Sequence, residues 1–234
     1  MDTIYYIDSG IVLHTDEFKD GKIIAQDGSS YLAAKILNPI AGEKVVDTCS
    51  APGSKTAVLG ELMNNTGEIY ALDIHQHKIK IIEENLKKLG LTNVKAIKLD
   101  ARKLKEQGQK FDKILVDAPC SGYGVLRKKP EALYNKNMAN VNELAGLQYE
   151  ILESAATTLK VGGDLVYSTC TIFSEENSDN VEKFLNNHKN FSVQKFEMPE
   201  NVNGHFDKIG GFLIDYTEEI LDNFYIIKLR KDFE

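Results

Sequence analysis

Cys120 and Cys170 each sit in a short polar turn behind an apolar run, in LVDAPCSG and LVYSTCT. Both runs read as strands, so both thiols are expected at the same rim of one sheet. A thiolate adds to an electron-poor ring carbon, and two thiols at one place suit an adduct that forms and then has to break. The turns alone leave open which of the two attacks. For any free cysteine the commonest fate is a small buried hydrophobe, and that reading is taken for the Cys49 thiol. Three cysteines without CxxC spacing argue against a disulfide framework and against a cysteine zinc site. The five histidines, His75 and His77 among them, show no ligand spacing, so no metal is expected.

A second set of polar residues falls at strand ends. VVDTCSAPGSKT joins an apolar strand, a tight Pro-Gly turn and a helix start, a junction that gathers backbone N–H groups around a ligand at the carboxyl edge of a sheet. Cys49, Ser50, Ala51, Pro52, Gly53, Ser54 and Lys55 make up this turn. A nucleotide phosphate loop would need Gly where Ser54 stands and another Gly at position 49, and GxGxxG is absent. Asp73, Asp100 and Asp117 close the next three apolar runs. The two hydroxyls of a ribose suit Asp73, an exocyclic adenine amine suits Asp100, and a charged amino group suits Asp117. Any one strand-end aspartate reads equally as a cap or turn residue; three in register line one edge.

The elements that must carry these residues alternate along the chain. Strands are expected at Lys44 to Thr48, Glu68 to Asp73, Val94 to Leu99, Lys113 to Asp117 and Asp164 to Ser168. Helices are expected at Lys55 to Met63, His77 to Leu89 and Asn142 to Leu159, with apolar spacing of three and four such as Ile79, Ile82, Leu86 and Leu89. A further helix is expected at Glu175 to His188 and a last strand at Phe224 to Leu229, with Phe191 to Tyr216 as loop plus one short strand. This alternation is the signature of a doubly wound, mostly parallel α/β sheet with helices on both faces. The first 25 residues read as a small strand pair, Ile4 to Ile7 with Ile11 to Leu13, or as a linker from an upstream domain; residues 26–234 read as one domain.

Composition bounds the function. The 234 residues are 42% hydrophobic and carry a formal net charge of -7, which fits a globular domain and counts against tight binding of bare nucleic acid by this chain alone. No apolar run approaches the roughly 20 residues of a membrane span, and the N-terminus lacks a signal-peptide pattern, so a cytoplasmic protein is expected. Arg127, Lys128 and Lys129 form a local basic cluster close behind Cys120.

The strand-end carboxylates and the turn resemble class I S-adenosylmethionine-dependent methyltransferases. DTCSAPGSKT is similar to the first cofactor motif of the Sun-type RNA cytosine-5 methyltransferases, D-x-C-A-A-P-G-G-K-T, with Ser50 and Ser54 as departures. DAPCSGYGVLRKKPE is similar to the fourth motif of that family and LKVGGDLVYSTCTIFSEEN to the sixth, while Gln26-Asp27-Gly28-Ser29-Ser30 resembles its Q-D-x-S-S element. The motifs occur in the family's order over nearly the whole chain. The resemblance implies a Rossmann-like fold with a seven-stranded sheet, S-adenosyl-L-methionine as cofactor, and methyl transfer to C5 of a cytosine in RNA. It implies that Cys170 attacks C6, that Cys120 helps to expel the product, and that Asp117 assists near N3 or the exocyclic amine. It also places Arg127 to Lys129 towards the RNA, and small-subunit ribosomal RNA as the partner, with an upstream helical RNA-binding domain outside this chain. Three alternatives stay open: a non-catalytic RNA-binding or assembly module with the same fold, a methyltransferase acting on tRNA or another RNA, and a DNA or small-molecule methyltransferase.

Overall fold

The alternating apolar runs form the parallel half of one sheet. In the computed structural model, which describes residues 5, 7, 10–128, 130, 138–217 and 220–234, these are β1 (Lys44–Asp47), β2 (Glu68–Asp73), β3 (Val94–Lys98), β4 (Phe111–Asp117) and β5 (Leu159–Thr169). The spatial order β3-β2-β1-β4-β5 is parallel throughout and continues antiparallel through β9 (Tyr225–Lys231). The order reverses between β1 and β4, so the loops after these two strands open the crevice in which doubly wound sheets bind ligands.

Side chains of successive strand residues go to opposite faces. Val45, Leu115, Val166 and Ile226 pack beneath α2 (Gly28–Leu37) and α3 (Ser54–Leu62). Val46, Ile114, Val116 and Tyr167 pack with α5 (Met138–Thr158) and α6 (Ser178–Asn187) on the other face. Ile79, Ile82 and Leu86 of α4 (Gln76–Lys88) meet Ala57 and Ala71 in a smaller cluster. The expected doubly wound class is therefore present, with helices on both faces. Among the described residues no helix is long and apolar enough to cross a membrane.

Three local expectations differ from the structure. The sheet has nine strands rather than seven, because residues 191–216 supply three short ones: β6 (Phe191–Val193), β7 (Gly204–Phe206) and β8 (Phe212–Ile214). All three residues of β7 are exposed, so no alternating pattern marks this strand in the sequence; Phe206 is held instead by edge contacts with Phe196 and Phe212. Near the N-terminus, Ile11 to Leu13 lie in a 3-10 turn (Gly10–His14) rather than a strand, and Thr15 caps the helical turn α1 (Asp16–Lys19); Ile4 lies outside the described residues. The helix expected at Glu175 to His188 is split into a 3-10 turn (Ser174–Glu176) and α6. The break falls on Asn177, whose backbone at φ −116°, ψ −110° is not helical because its side chain is engaged elsewhere.

Candidate active site

β4 and β5 run parallel with Asp117 opposite Ser168, so the turns that follow them leave the sheet side by side. The Cys120 and Cys170 sulfurs lie 3.1 Å apart, a thiol–thiol hydrogen-bond distance. Gly124, just after the Cys120 turn, donates its amide to the Cys170 carbonyl at 2.9 Å. A Cβ at this position would meet the Asn223 carbonyl oxygen at 2.1 Å and the Cys170 carbonyl oxygen at 2.9 Å, so only glycine permits the approach.

The two thiols are electrostatically unequal. The hydrogen bond from Cys120 and the nearby Lys55 ammonium bring the Cys170 thiol below its ordinary range, against burial and the Asp117 carboxylate. Donation to Cys170, together with burial, holds the Cys120 thiol well above it. Cys170 is thus the more readily ionised thiol of the pair and Cys120 the less readily ionised.

Lys55 is the cation that sequence reasoning did not place here. It stands in the first turn of α3, and its Nζ lies 2.7 Å from Asp117 Oδ2 and 5.6 Å from the Phe224 ring centroid. Ser168 donates to Asp117 Oδ1 at 2.8 Å. Asp47, at the end of β1, is fully buried; its Oδ2 accepts from Thr56 at 2.7 Å, and its Oδ1 has no partner among the described residues. Burial, only partly offset by the Thr56 bond, pushes its carboxyl up to about 7.

The turn between β1 and α3 is a tight one. Gly53 takes the left-handed conformation at φ 101°, so Ser54 begins α3 with no positive φ. No side chain caps this helix, which leaves its first amides facing the crevice. Ser50 donates through both its amide and its hydroxyl to the Leu72 carbonyl, at 2.8 and 2.9 Å, and Pro52 accepts from Asn85 at 2.9 Å. Ala51 packs with the cluster beneath α4, and Cys49 packs against the core, where burial pushes its thiol up to about 12. A thiol with its pKa raised in this way is a poor nucleophile at neutral pH. Asp73 is almost fully buried, accepts from the His75 amide at 2.9 Å and has Lys78 at 3.6 Å. Asp100 is claimed by Arg102, which donates to both its oxygens at 2.6 to 3.1 Å, so an adenine amine would share that carboxylate. Uncapped amides beside under-compensated carboxylates fit a ligand with one cationic end and ribose hydroxyls.

The basic cluster is dispersed. Lys128 is paired with Asp27 and, at 3.2 Å, with Asp222, while Arg127 donates to the Leu221 carbonyl at 2.8 Å. Lys129 lies outside the described residues. Asp27 belongs to the Q-D-x-S-S element, where it caps α2 by accepting from the Ser29 amide at 2.9 Å. Sequence reasoning also missed Gln148, Glu176 and Asn177, which sit fully or almost fully buried behind the two cysteines. The only trace of them was the Glu-Glu-Asn that closes the sixth motif.

The two-thiol crevice sits on a Rossmann-like, S-adenosylmethionine-dependent methyltransferase fold. A model of the 16S rRNA methyltransferase RsmB/F family matches residues 34–230, and the chain belongs to that family. It is 42% identical over 95% of its length to the probable ribosomal RNA small subunit methyltransferase B of Bacillus subtilis, of which it covers 51%. It is 35% identical over 92% of its length to the tRNA (cytosine(72)-C(5))-methyltransferase of Pyrococcus horikoshii, covering 54% of that protein. Among solved structures, NSun6 from Pyrococcus horikoshii with SFG superposes with a TM-score of 0.87 at 32% identity, covering 95% of this chain and 56% of that one. The chain thus spans about half the length of the curated relatives it matches.

Proposed function

We propose that residues 26–234 are the catalytic domain of an RNA cytosine-5 methyltransferase acting on small-subunit ribosomal RNA, with residues 1–25 leading from an upstream RNA-binding domain. The observation that carries this reading is the 3.1 Å contact between two inequivalent thiols beside Lys55. Cytosine C5 is a weak nucleophile, and addition of the Cys170 thiolate to C6 converts the ring to an enamine that attacks through C5. Bound S-adenosylmethionine supplies the electrophilic methyl group. Loss of the C5 proton to solvent restores the ring double bond as the C6–Sγ bond breaks and its electron pair returns to Cys170. The Cys120 S–H, whose sulfur lies 3.1 Å from that of Cys170, donates to the departing thiolate and stabilises it. Asp117, held by Lys55 and Ser168, retains acceptor capacity for the cytosine amine. The helix start after Gly53 with Asp73 binds the cofactor, and the base reaches the crevice unstacked.

The test uses methyl-labelled S-adenosylmethionine and small-subunit ribosomal RNA transcribed in vitro. Methyl transfer to C5 of cytosine, abolished in Cys170→Ala and converted to a gel-stable protein–RNA adduct in Cys120→Ala, is the expected result. Full activity of Cys170→Ala would sink the nucleophile assignment, and no transfer to any RNA would leave a binding module. The Pyrococcus relative's name favours one second reading, a tRNA substrate; transfer to tRNA and not to ribosomal RNA would select it.

A further inference from the structure

The two cysteine turns are braced by different buried groups. Cys170 lies between Thr169 and Thr171: the Thr169 hydroxyl donates to Asn177 Oδ1, and Asn177 Nδ2 donates to the Thr171 carbonyl at 3.0 Å. Cys120 lies between Pro119 and Ser121. Gln148 donates to the Pro119 carbonyl at 2.9 Å, and Glu176 accepts from Ser121 twice, from its amide at 2.8 Å and from its hydroxyl at 2.5 Å. Gln148 also donates to Glu176 at 2.8 Å, and the Tyr167 hydroxyl donates to the Glu176 carbonyl at 2.6 Å. Glu176 is fully buried. A buried carboxylate holding three donors has little freedom, since any displacement strands a polar group away from water. Asn177 therefore closes the Cys170 turn on itself, whereas Glu176 ties the Cys120 turn to α5 and β5.

We propose that Glu176 is a positioning residue for product release, holding Cys120 through Ser121 at the distance from which its thiol meets the departing Cys170 sulfur. This rests on the adduct reading above. In the release step the C5–H pair becomes the ring double bond, the proton goes to solvent, the C6–Sγ bond breaks and its electrons go to Cys170. Cys120 contributes a hydrogen bond to that sulfur and keeps its own proton. Attack depends on Cys170 and Lys55, neither of which Glu176 contacts; the turns meet through the two sulfurs at 3.1 Å, the Gly124 amide on the Cys170 carbonyl at 2.9 Å and the Ser121–Thr171 hydroxyl pair at 2.9 Å, and Lys55 and the Asn177 bonds stay in place when Glu176 is changed. Loss of the Glu176 brace therefore slows release more than attack.

The experiment follows both steps with the full chain, labelled S-adenosylmethionine and in vitro transcribed small-subunit ribosomal RNA, with Cys120→Ala alongside. Glu176→Gln keeps the shape but replaces one acceptor oxygen by an NH2 donor that faces the donors of Ser121 and Gln148. It is expected to lower steady-state turnover about 10- to 100-fold while single-turnover adduct formation stays within about threefold of the parent. A gel-stable RNA adduct should then build up as in Cys120→Ala. Asn177→Ala should instead slow adduct formation with no build-up. Equal slowing of both steps in Glu176→Gln overturns the assignment, as does turnover at the parent rate. An adduct with Cys120→Ala and none with Glu176→Gln overturns it as well, leaving the adduct reading intact. No adduct with Cys120→Ala removes the adduct reading and this inference with it. If Glu176→Gln loses cooperative unfolding, Ser121→Ala, which deletes the hydroxyl and keeps the amide, is held to the same outcomes.

Discussion

The two rims of the sheet carry opposite charge arrangements. At the carboxyl rim, Asp47, Asp73 and Asp117 share Lys55 at 2.7 Å from Asp117 and Lys78 at 3.6 Å from Asp73. At the opposite rim the buried carboxylate of Asp164 is met by Lys113, by Arg230 at 3.2 Å and by Lys228 at 3.7 Å. Register explains the second arrangement: Lys113 and Arg230 sit directly opposite Asp164 on the two neighbouring strands. Cross-strand neighbours of opposite sign neutralise a buried carboxylate within the sheet itself. The first arrangement is under-compensated, with one Asp47 oxygen lacking a partner among the described residues. Asp73 and Asp117 each have a single lysine beside them, so this rim keeps more acceptor capacity for a cationic ligand than the crowded Asp164 does. One rim is built for stability and the other for chemistry.

The sharpest way to break that division is to exchange the expected losses. Cys170→Ala should remove all methyl transfer and shift the unfolding midpoint only slightly, because a single partly buried sulfur at the margin of a core cluster contributes little packing. A large fall in stability with residual activity would contradict it. Asp164→Ala should do the reverse, losing ~3 kcal/mol by leaving the cations around it without their shared partner. Denaturant unfolding measures the loss. An unchanged midpoint would show that the pairs are solvent-screened, and an altered Cys170 alkylation rate would show that the rims are coupled.

These two rims were unequally legible in the sequence. Asp73 and Asp117 announced themselves because each ends an apolar run, and a run that ends in a polar residue fixes the edge of a sheet. The two cysteines were legible for the same reason, from the turns that follow β4 and β5. Lys55 was visible only as part of a turn, since spacing gives its position on α3 and not the direction in which a flexible four-carbon stem points. Glu176 was hidden more deeply. It meets Ser121 across 55 residues, and its role exists only once two turns from different strands are side by side. Asn177 broke an otherwise helical pattern through side-chain bonds to Thr169 and Thr171, a tertiary override of local propensity. The pairing of Asp164 needed the register of three strands, which no single segment encodes.

A smaller effect sharpens the chemical side of the comparison. Lys55→Met removes the cation that favours the Cys170 thiolate and leaves Asp117 unopposed beside it. The thiol pKa should rise and the rate at neutral pH should fall about 10- to 100-fold, with part of the loss recovered as the pH is raised. Rates of iodoacetamide alkylation of Cys170 against pH report the same change without RNA. A pH profile identical to that of the parent would assign Lys55 to cofactor binding alone.

The last expected effect is a slope with pH rather than a loss at one pH, and it concerns Asp47. Its carboxyl is raised from 3.8 to about 7 by burial, so between these values the folded chain keeps a proton that the unfolded chain has released. The stability this proton provides is complete below pH 3.8, declines as the pH rises and is gone above about 7. Asn at this position imitates the protonated form at every pH. The unfolding free energy of the parent minus that of Asp47→Asn should therefore fall steadily from pH 4 to 7 and flatten beyond. A flat curve for Asp47 would mean that water reaches its unpartnered oxygen, and the carboxyl rim would then owe its excess negative charge to solvation rather than to a site kept ready for a cation.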